Sequence, residues 1–436
     1  MIRHTHHETM PRAELEKLQL ERLKKTVAYT YARSPYYRDK MNSQGVKPDD
    51  IQSLTDISRL PLTSKLDFRD TYPYGLTCVP REEIVRVHSS SGTTGKPVIT
   101  TYTQADIDTW AELVARSLVC TGITSKDIIQ NAYGYGTFTG GLGLHYGAEK
   151  LGAMVIPAST GNTKRQLMLM QDLGTTAISC TPSYAIILHE TAQEMGINLG
   201  MSKLKTGILG AEPWSENMRA DIENRLGINA YSIYGLTEII GPGVSIECQC
   251  KSGMHIWEDN FLVEIIDPET LKPLPYGSEG ELIITTINKE AQPVLRFRTK
   301  DITKLNPDTC PCGRTMVRME RVTGRSDDML RIRGVSVFPS QIESVLLTVE
   351  GVEPQYLIVV DRHNAFASDE LEIMVEVSEA IFSDTMAQMT SVQSRLQREL
   401  DSVLGIKARI KLVEPRKLAR SEGKAKRVID RSELPK

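Results

Sequence analysis

Between Ala153 and Ile233 short apolar runs alternate with helical stretches of roughly ten residues, and that alternation leaves few folds open. Ala153–Pro157, Thr176–Ser179, Thr206–Leu209 and Ala230–Ile233 read as strands, with Thr163–Leu173, Ser183–Met195 and Ser215–Leu226 as the helices between them. Strands this short and this apolar belong in a parallel sheet covered by helices on both faces. From Asn260 the texture changes. Phe261–Ile266, Glu281–Ile287 and Val294–Ile302 are β-rich with Gly and Pro turns, which predicts an antiparallel section or a small barrel. A third pattern follows the polar stretch Gly324–Asp328: strand Met329–Arg333, helix Pro339–Thr348, strands Gln355–Asp361 and Leu371–Val377, a long helix Phe382–Leu404 and a strand Ala408–Val413. The expected class is α/β. Residues 1–325 would form a large N-terminal domain of parallel sheet, covering helices and a β-rich section, and residues 326–436 a small mobile α+β domain. Ahead of the alternation, Glu14–Tyr31 reads as a helix followed by a loop from Pro35, and Thr103–Asp106 can cap a helix running to Cys120.

One loop stands out from this scaffold. His88–Thr103 reads HSSSGTTGKPVITTYT, entered by Ile84–Val87 and left by Val98–Tyr102. Glycines let backbone N–H groups turn inward, hydroxyls add donors, and Lys96 brings a mobile positive charge, so such a loop can wrap a polyphosphate. It is not a Walker A loop, because only Thr93 and Thr94 separate Gly92 from Gly95, and Pro97 follows Lys96. A flexible polar hairpin has the same composition, so the loop alone decides nothing.

Charged residues make up 25% of the chain and the formal net charge is −3, which gives no global pull toward nucleic acid or membrane. No apolar run has the length of a membrane span, and MIRHTHHETMPRAELE lacks the apolar stretch of a signal peptide. A soluble cytoplasmic protein is expected, with His4, His6 and His7 in a polar, mobile tail. Among the seven cysteines, Cys78, Cys120 and Cys180 are scattered and read as buried apolar residues. The other four form two tight pairs, Cys248-Gln-Cys250 and Cys310-Pro-Cys312. In a cytoplasmic protein such pairs favour metal over disulfide. The expected set is a structural Zn²⁺ site of Cys248, His255, Cys310 and Cys312, with Cys250 an alternative to His255, against four reduced thiols and no metal.

In an open α/β sheet the ligand sits at the carboxyl ends of the strands. Two polar clusters follow strands there, Gly210–Pro213 and Tyr234–Glu238. Tyr234 offers a face for stacking a base, Thr237 a hydroxyl for a phosphate, and Glu238 a hard oxygen ligand for Mg²⁺. Arg416, Lys417, Arg420, Lys424, Lys426 and Arg427 form a basic cluster that, by composition, reads as a solvated tail.

Taken in order, these segments resemble the adenylate-forming superfamily of acyl-CoA synthetases, adenylation domains and luciferases. SSSGTTGKP matches its phosphate loop, GAEP its adenine-side loop, YGLTE its nucleotide and magnesium motif, RFRTKD (296–301) its ribose segment, GRSDD (324–328) its hinge and SEGKAKR (421–427) its lysine motif. YGYGTFTGGLGLHYGAEKLG (133–152), MHIWEDNFLVEII (254–266) and GRSDDMLRIRGVSVFPSQIE (324–343) resemble the phenylacetate-CoA ligase branch. The chain departs from the superfamily pattern at Val98, where many members carry lysine, and at Lys300 before Asp301.

The resemblance implies that Ser90, Ser91, Gly92, Thr93, Thr94, Gly95 and Lys96 hold the β- and γ-phosphates of ATP. Ala211, Glu212 and Pro213 would flank adenine, with Tyr234 stacked on it and Gly235 beside it. Thr237 would contact the α-phosphate, Glu238 would hold Mg²⁺, Asp301 would bind both ribose hydroxyls and Arg325 the ribose and phosphate side. Asp327 would be the hinge and Lys424 the catalytic lysine. Tyr133, Tyr135 and Phe138 are read as an aromatic, flat-sided pocket for an aryl ring, or as packing between helix and sheet. The implied activity is ATP-dependent ligation of an aryl-acetic acid to coenzyme A through an acyl-adenylate, with a homodimer expected by resemblance. The alternatives are a CoA ligase for another aromatic acid, AMP transfer to a different acceptor, as in coenzyme F390 synthetases, and a nucleotide-binding protein without activity.

Overall fold

Five parallel strands carry the alternation read from the sequence. In the computed structural model, which describes residues 1–90, 97–327, 330–332, 335–361, 370–382, 386–404, 406–421, 425 and 427–431, they lie in the order Met154–Ile156, Ile128–Asn131, Ala177–Cys180, Thr206–Gly210 and Asn229–Leu236. The sheet does not stop there. It continues antiparallel through Gly241–Glu247, Met254–Ile256, Arg318–Met319 and Leu305–Asn306 to nine strands. Of these, Ile128–Asn131 and the antiparallel extension were not legible as strands of this sheet.

Helix Thr139–Leu151 is rich in glycine, a residue that weakens an isolated helix, and packing explains it. A Cβ at Gly143 would lie 2.4 Å from Trp110 Cζ2, and one at Gly147 would lie 2.2 Å from Val114 Cγ1. The glycines let this helix press against Gln104–Cys120, which Thr103 and Asp106 cap as expected. Two expectations are corrected. The chain after Arg33 forms a second helix, Pro35–Ser43, because Ser34 caps it and Pro35 sits at its first position, where a missing N–H costs nothing. The histidine-rich N-terminus is not a loose tail: Thr5–Glu8 is helical and Glu8 is fully buried, 2.7 Å from Arg314 Nε.

The β-rich section is a five-stranded antiparallel sheet, ordered Pro273–Leu274, Phe261–Ile266, Gly280–Thr286, Phe297–Thr303 and Gly324–Arg325. Its last pairing sets Asp301 opposite Arg325. Beyond residue 330 the chain builds its own core from Ile342, Leu346, Ile358, Ile373, Leu396 and Leu400. That core lies between helices Pro339–Leu346 and Met386–Leu404 and a sheet of Arg409–Val413, Glu370–Val377, Val352–Asp361 and Val428–Asp430. No described helix is long and apolar enough to cross a membrane.

Candidate active site and a thiol–imidazole cluster

Strand Asn229–Leu236 runs past Ile233 through Tyr234 and bulges at Gly235, where a Cβ would lie 1.9 Å from the Gly241 carbonyl oxygen. Only glycine fits there. The bulge delivers the turn that carries Thr237 and Glu238. Four side-chain donors hold the carbonyls of the chain beyond the bulge: Thr100 Oγ1 to Thr237 (3.0 Å), Lys289 Nζ to Ile239 (2.7 Å), Tyr102 Oη to Ile240 (3.0 Å) and Trp110 Nε1 to Pro242 (2.8 Å). Thr100 and Tyr102 belong to Ile99–Tyr102, the strand that leaves the Ser/Thr/Gly loop, so that strand and the turn are fixed to each other. Ser90 closes the neck of that loop by exchanging two 3.0 Å hydrogen bonds with the Val98 backbone. Ser91, Gly92, Thr93, Thr94, Gly95 and Lys96 lie outside the described residues, as does Lys424.

Glu238 is buried, and its Oε1 has no hydrogen-bond partner among the described residues, with Lys65 Nζ 3.5 Å away. A buried carboxylate oxygen with no hydrogen bond and only a long ion pair to a half-exposed lysine is poorly satisfied, and a hard divalent cation is a partner that suits it. Lys289, also buried, stands behind this turn with its ammonium 4.9 Å from the Tyr102 ring. Burial pushes its pKa down to about 8 against the opposing pull of Asp106 and Glu238. Neither Lys65 nor Lys289 was singled out from the sequence, because each is brought to Glu238 only by the fold.

Asp301 receives Tyr234 Oη at 2.6 Å and Arg325 Nη1 at 2.9 Å, and Arg325 also pairs with Asp327 at 2.9 Å. Burial pushes the Asp301 carboxyl up, while Arg325 and Tyr234 pull it down. Asp301 and Arg325, expected at the ribose, Asp327, expected at the hinge, and Tyr234, expected against adenine, therefore form one connected group. Two non-glycine residues with positive φ precede the site carboxylates: Ala211 (φ 70°) before Glu212 and Lys300 (φ 68°) before Asp301. Such left-handed backbone is strained for these residues and persists where the surroundings impose it, as functional loops do. Glu212 accepts Ser183 Oγ at 2.7 Å, and its Oε1 accepts the backbone N–H of Ala425. The Gly210–Pro213 loop and the C-terminal basic segment thus meet at one carboxylate.

The three aromatics do not behave alike. Asn131 accepts the Tyr133 N–H (3.3 Å) and donates to Tyr135 Oη (2.8 Å), so it organises both tyrosines. Tyr133 Oη donates to the Cys180 carbonyl at 2.6 Å, and Tyr135 Oη lies 3.2 Å from His145 Nδ1. Phe138, at the start of helix Thr139–Leu151, is 50% exposed.

Away from this site, Cys248, His255, Cys310 and Cys312 place their ligand atoms within 4.8 Å of one another, while Cys250 is exposed outside the group. A tetrahedral shell with metal–sulfur bonds of about 2.3 Å sets sulfurs about 3.8 Å apart. Cys248 Sγ and Cys310 Sγ are 3.7 Å apart, and Cys312 Sγ is 3.4 Å from His255 Nε2. Hydrogen bonds from Cys248, His255 and Arg314 hold the Cys312 thiol far below its usual range, whereas the bond to Cys312 and burial push Cys248 up. The strands explain the meeting: Met254–Ile256 pairs with both Gly241–Glu247 and Arg318–Met319, closing a long stretch of sequence onto the Cys310 turn.

Known proteins give this geometry its setting. A family described as AMP-binding enzyme matches residues 5–288, and one described as AMP-binding enzyme C-terminal domain matches residues 334–432. The phenylacetate-coenzyme A ligase of Thermus thermophilus is 49% identical over 437 residues, covering 97% of this chain and 98% of that protein. The chain belongs to the AMP-binding enzyme family, in its phenylacetate-CoA ligase branch. Among solved structures, 2-hydroxyisobutyryl-CoA ligase in the postadenylation state with R3-HIB-AMP superposes with a TM-score of 0.93 at 32% identity, covering 98% of this chain and 92% of that one. The same ligase in the thioesterification state with 2-HIB-AMP and CoA superposes at 0.72, at 33% identity and 98% and 91% coverage. Family membership accounts for the motif order, and the higher superposition goes with the domain arrangement seen here.

Proposed function

We propose that the chain ligates an aryl-acetic acid, phenylacetate favoured, to coenzyme A through an acyl-adenylate, consuming ATP and releasing AMP and pyrophosphate. The observation that carries this reading is the full-length likeness to phenylacetate-CoA ligase, joined to a connected Tyr234–Asp301–Arg325 group beside Thr237 and Glu238. Asp301 binds the ribose hydroxyls, Arg325 lies on the ribose and phosphate side, Tyr234 and Gly235 border the base, and Ala211, Glu212 and Pro213 flank it. Ser90, Ser91, Gly92, Thr93, Thr94, Gly95 and Lys96 hold the β- and γ-phosphates, and Thr237 contacts the α-phosphate. Glu238 holds Mg²⁺, which supplies positive charge where the phosphorus gathers negative charge. Lys424 adds a second positive charge there, and both favour the transition state over the separated anions. No general base is needed, because the acid is ionised at neutral pH. A CoA thiolate then displaces AMP after residues 326–436 turn about Asp327 and carry Lys424 away.

Tyr133, Tyr135 and Phe138 border the aryl ring, and Cys248, His255, Cys310 and Cys312 hold a structural Zn²⁺ whose closed shell leaves no position for chemistry. The reading includes a cytoplasmic homodimer, which sedimentation equilibrium tests. The test of the reaction is exchange of labelled pyrophosphate into ATP: it requires phenylacetate, proceeds without CoA, and is lost in Lys424→Ala. Pyrophosphate release that ignores every aryl acid points instead to AMP transfer onto another acceptor.

A further inference from the structure

The segment leading to Lys424 is anchored on two carboxylates, one in each domain. Glu376, buried at the end of strand Glu370–Val377, accepts the backbone N–H groups of Arg416 (3.0 Å) and Leu418 (2.7 Å). It also accepts both terminal nitrogens of Arg420, at 2.7 and 2.9 Å. The other edge of the same guanidinium crosses to the large domain. Arg420 Nε and Nη2 each lie 3.1 Å from a carboxylate oxygen of Glu190, on helix Pro182–Glu194. The first turn of that helix carries Ser183, which bonds Glu212, and Glu212 accepts the Ala425 N–H. Arg420 and Ala425 therefore tie the basic segment to one helix and one loop of the nucleotide side. Only a planar fork satisfies both carboxylates at once; a lysine ammonium at this position cannot.

We infer that Arg420 is a positioning residue for adenylation: bridging Glu376 to Glu190, it latches the lysine-bearing segment against the large domain in the arrangement seen here. The inference rests on the adenylate reading above. The half of the bridge inside the small domain moves with that domain, while the half to Glu190 exists only in this arrangement. Breaking that half favours the other arrangement and so costs the first half-reaction alone. Arg416 and Glu194 make a second cross-domain pair at 2.6 Å, but both side chains are largely exposed and water screens them.

The variant that removes only the cross-domain half is Glu190→Gln, which leaves the Glu376 anchor whole. Two readouts are needed. In the substrate-free enzyme, hydrogen exchange at the Ala425 amide, resolved from overlapping peptides, should quicken by about fivefold in Glu190→Gln and by less than about twofold in Glu194→Gln. In the acid-dependent enzyme, pyrophosphate exchange should slow by a similar factor, while thioester formation from supplied phenylacetyl-adenylate and CoA stays within about twofold of wild type. Arg420→Lys should match Glu190→Gln in this split. Unchanged exchange at Ala425 overturns the latch whatever the substrate proves to be, and equal loss in both half-reactions assigns Arg420 a merely structural part. A wild-type enzyme inert toward aryl acids, with the Ala425 effect intact, overturns the substrate and keeps the latch.

Discussion

The two candidate ion sites differ in nearly every respect. At Glu238 a single carboxylate, one oxygen of which makes no hydrogen bond among the described residues and only a 3.5 Å ion pair with Lys65, sits on a turn held by side chains of the strand that leaves the Ser/Thr/Gly loop. Around Cys312 four soft ligands from two distant segments close on one another, with Arg314 donating to Cys312 Sγ at 3.5 Å. One hard ligand cannot keep a cation by itself, so an ion there arrives with substrate phosphates and leaves with product. Four thiolate and imidazole ligands complete a shell, so an ion there belongs to the fold. On the proposed reading, the first site would spend its ligand on chemistry and the second on architecture.

Variants that break each site sharpen the contrast. The largest effect is expected at the thiol cluster. Cys310→Ser should lose bound zinc by elemental analysis and most of its soluble folded yield, since structural zinc contributes on the order of 10 kcal/mol where ligands do not preassemble. Retention of full stability without metal would mean three thiols and an imidazole that merely pack. Next comes Glu238→Gln, expected to cut turnover by about 10²–10³-fold without lowering the melting temperature, because it removes charge stabilisation while keeping the shape of the buried side chain. A shift in melting temperature with normal turnover would place Glu238 in the fold and not in the reaction.

Tyr234→Phe is a smaller step. It removes a hydrogen bond that favours ionised Asp301, so the raised Asp301 pKa rises further. The acid limb of kcat/KM for ATP should move to higher pH, with a loss of roughly tenfold near its midpoint. A limb that stays in place would separate Asp301 from nucleotide binding. The smallest effect is expected from Cys250→Ser: exposed and outside the cluster, it should keep its zinc and change stability by less than about 0.5 kcal/mol.

Much of this was legible in the chain because it is local. The alternation from Ala153 to Ile233 gave four of the five parallel strands in place, and the motif order gave the residues around Asp301. The cysteine pairs indicated the cluster with His255 as the favoured fourth ligand, and the pairing of Met254–Ile256 with Arg318–Met319 explains why His255, and not Cys250, reaches it. What stayed hidden is non-local. The glycines of Thr139–Leu151 are explained by Trp110 and Val114, residues on another helix. The helix from Pro35 was legible in its Ser-Pro start but was passed over for the proline. Lys65 and Lys289 carry no sequence signal, Ser183 reads only as a helix start and Arg420 only as one of a basic cluster, and only tertiary structure brings them to the carboxylates they serve.

The central claim is acid activation followed by thioester formation, and product identity tests it most directly. Purified protein with ATP, Mg²⁺, phenylacetate and CoA should yield AMP and phenylacetyl-CoA in equal amounts by mass spectrometry, each absent when acid or CoA is withheld under multiple-turnover conditions. AMP found on another acceptor, with no thioester formed from any aryl acid supplied, would contradict it.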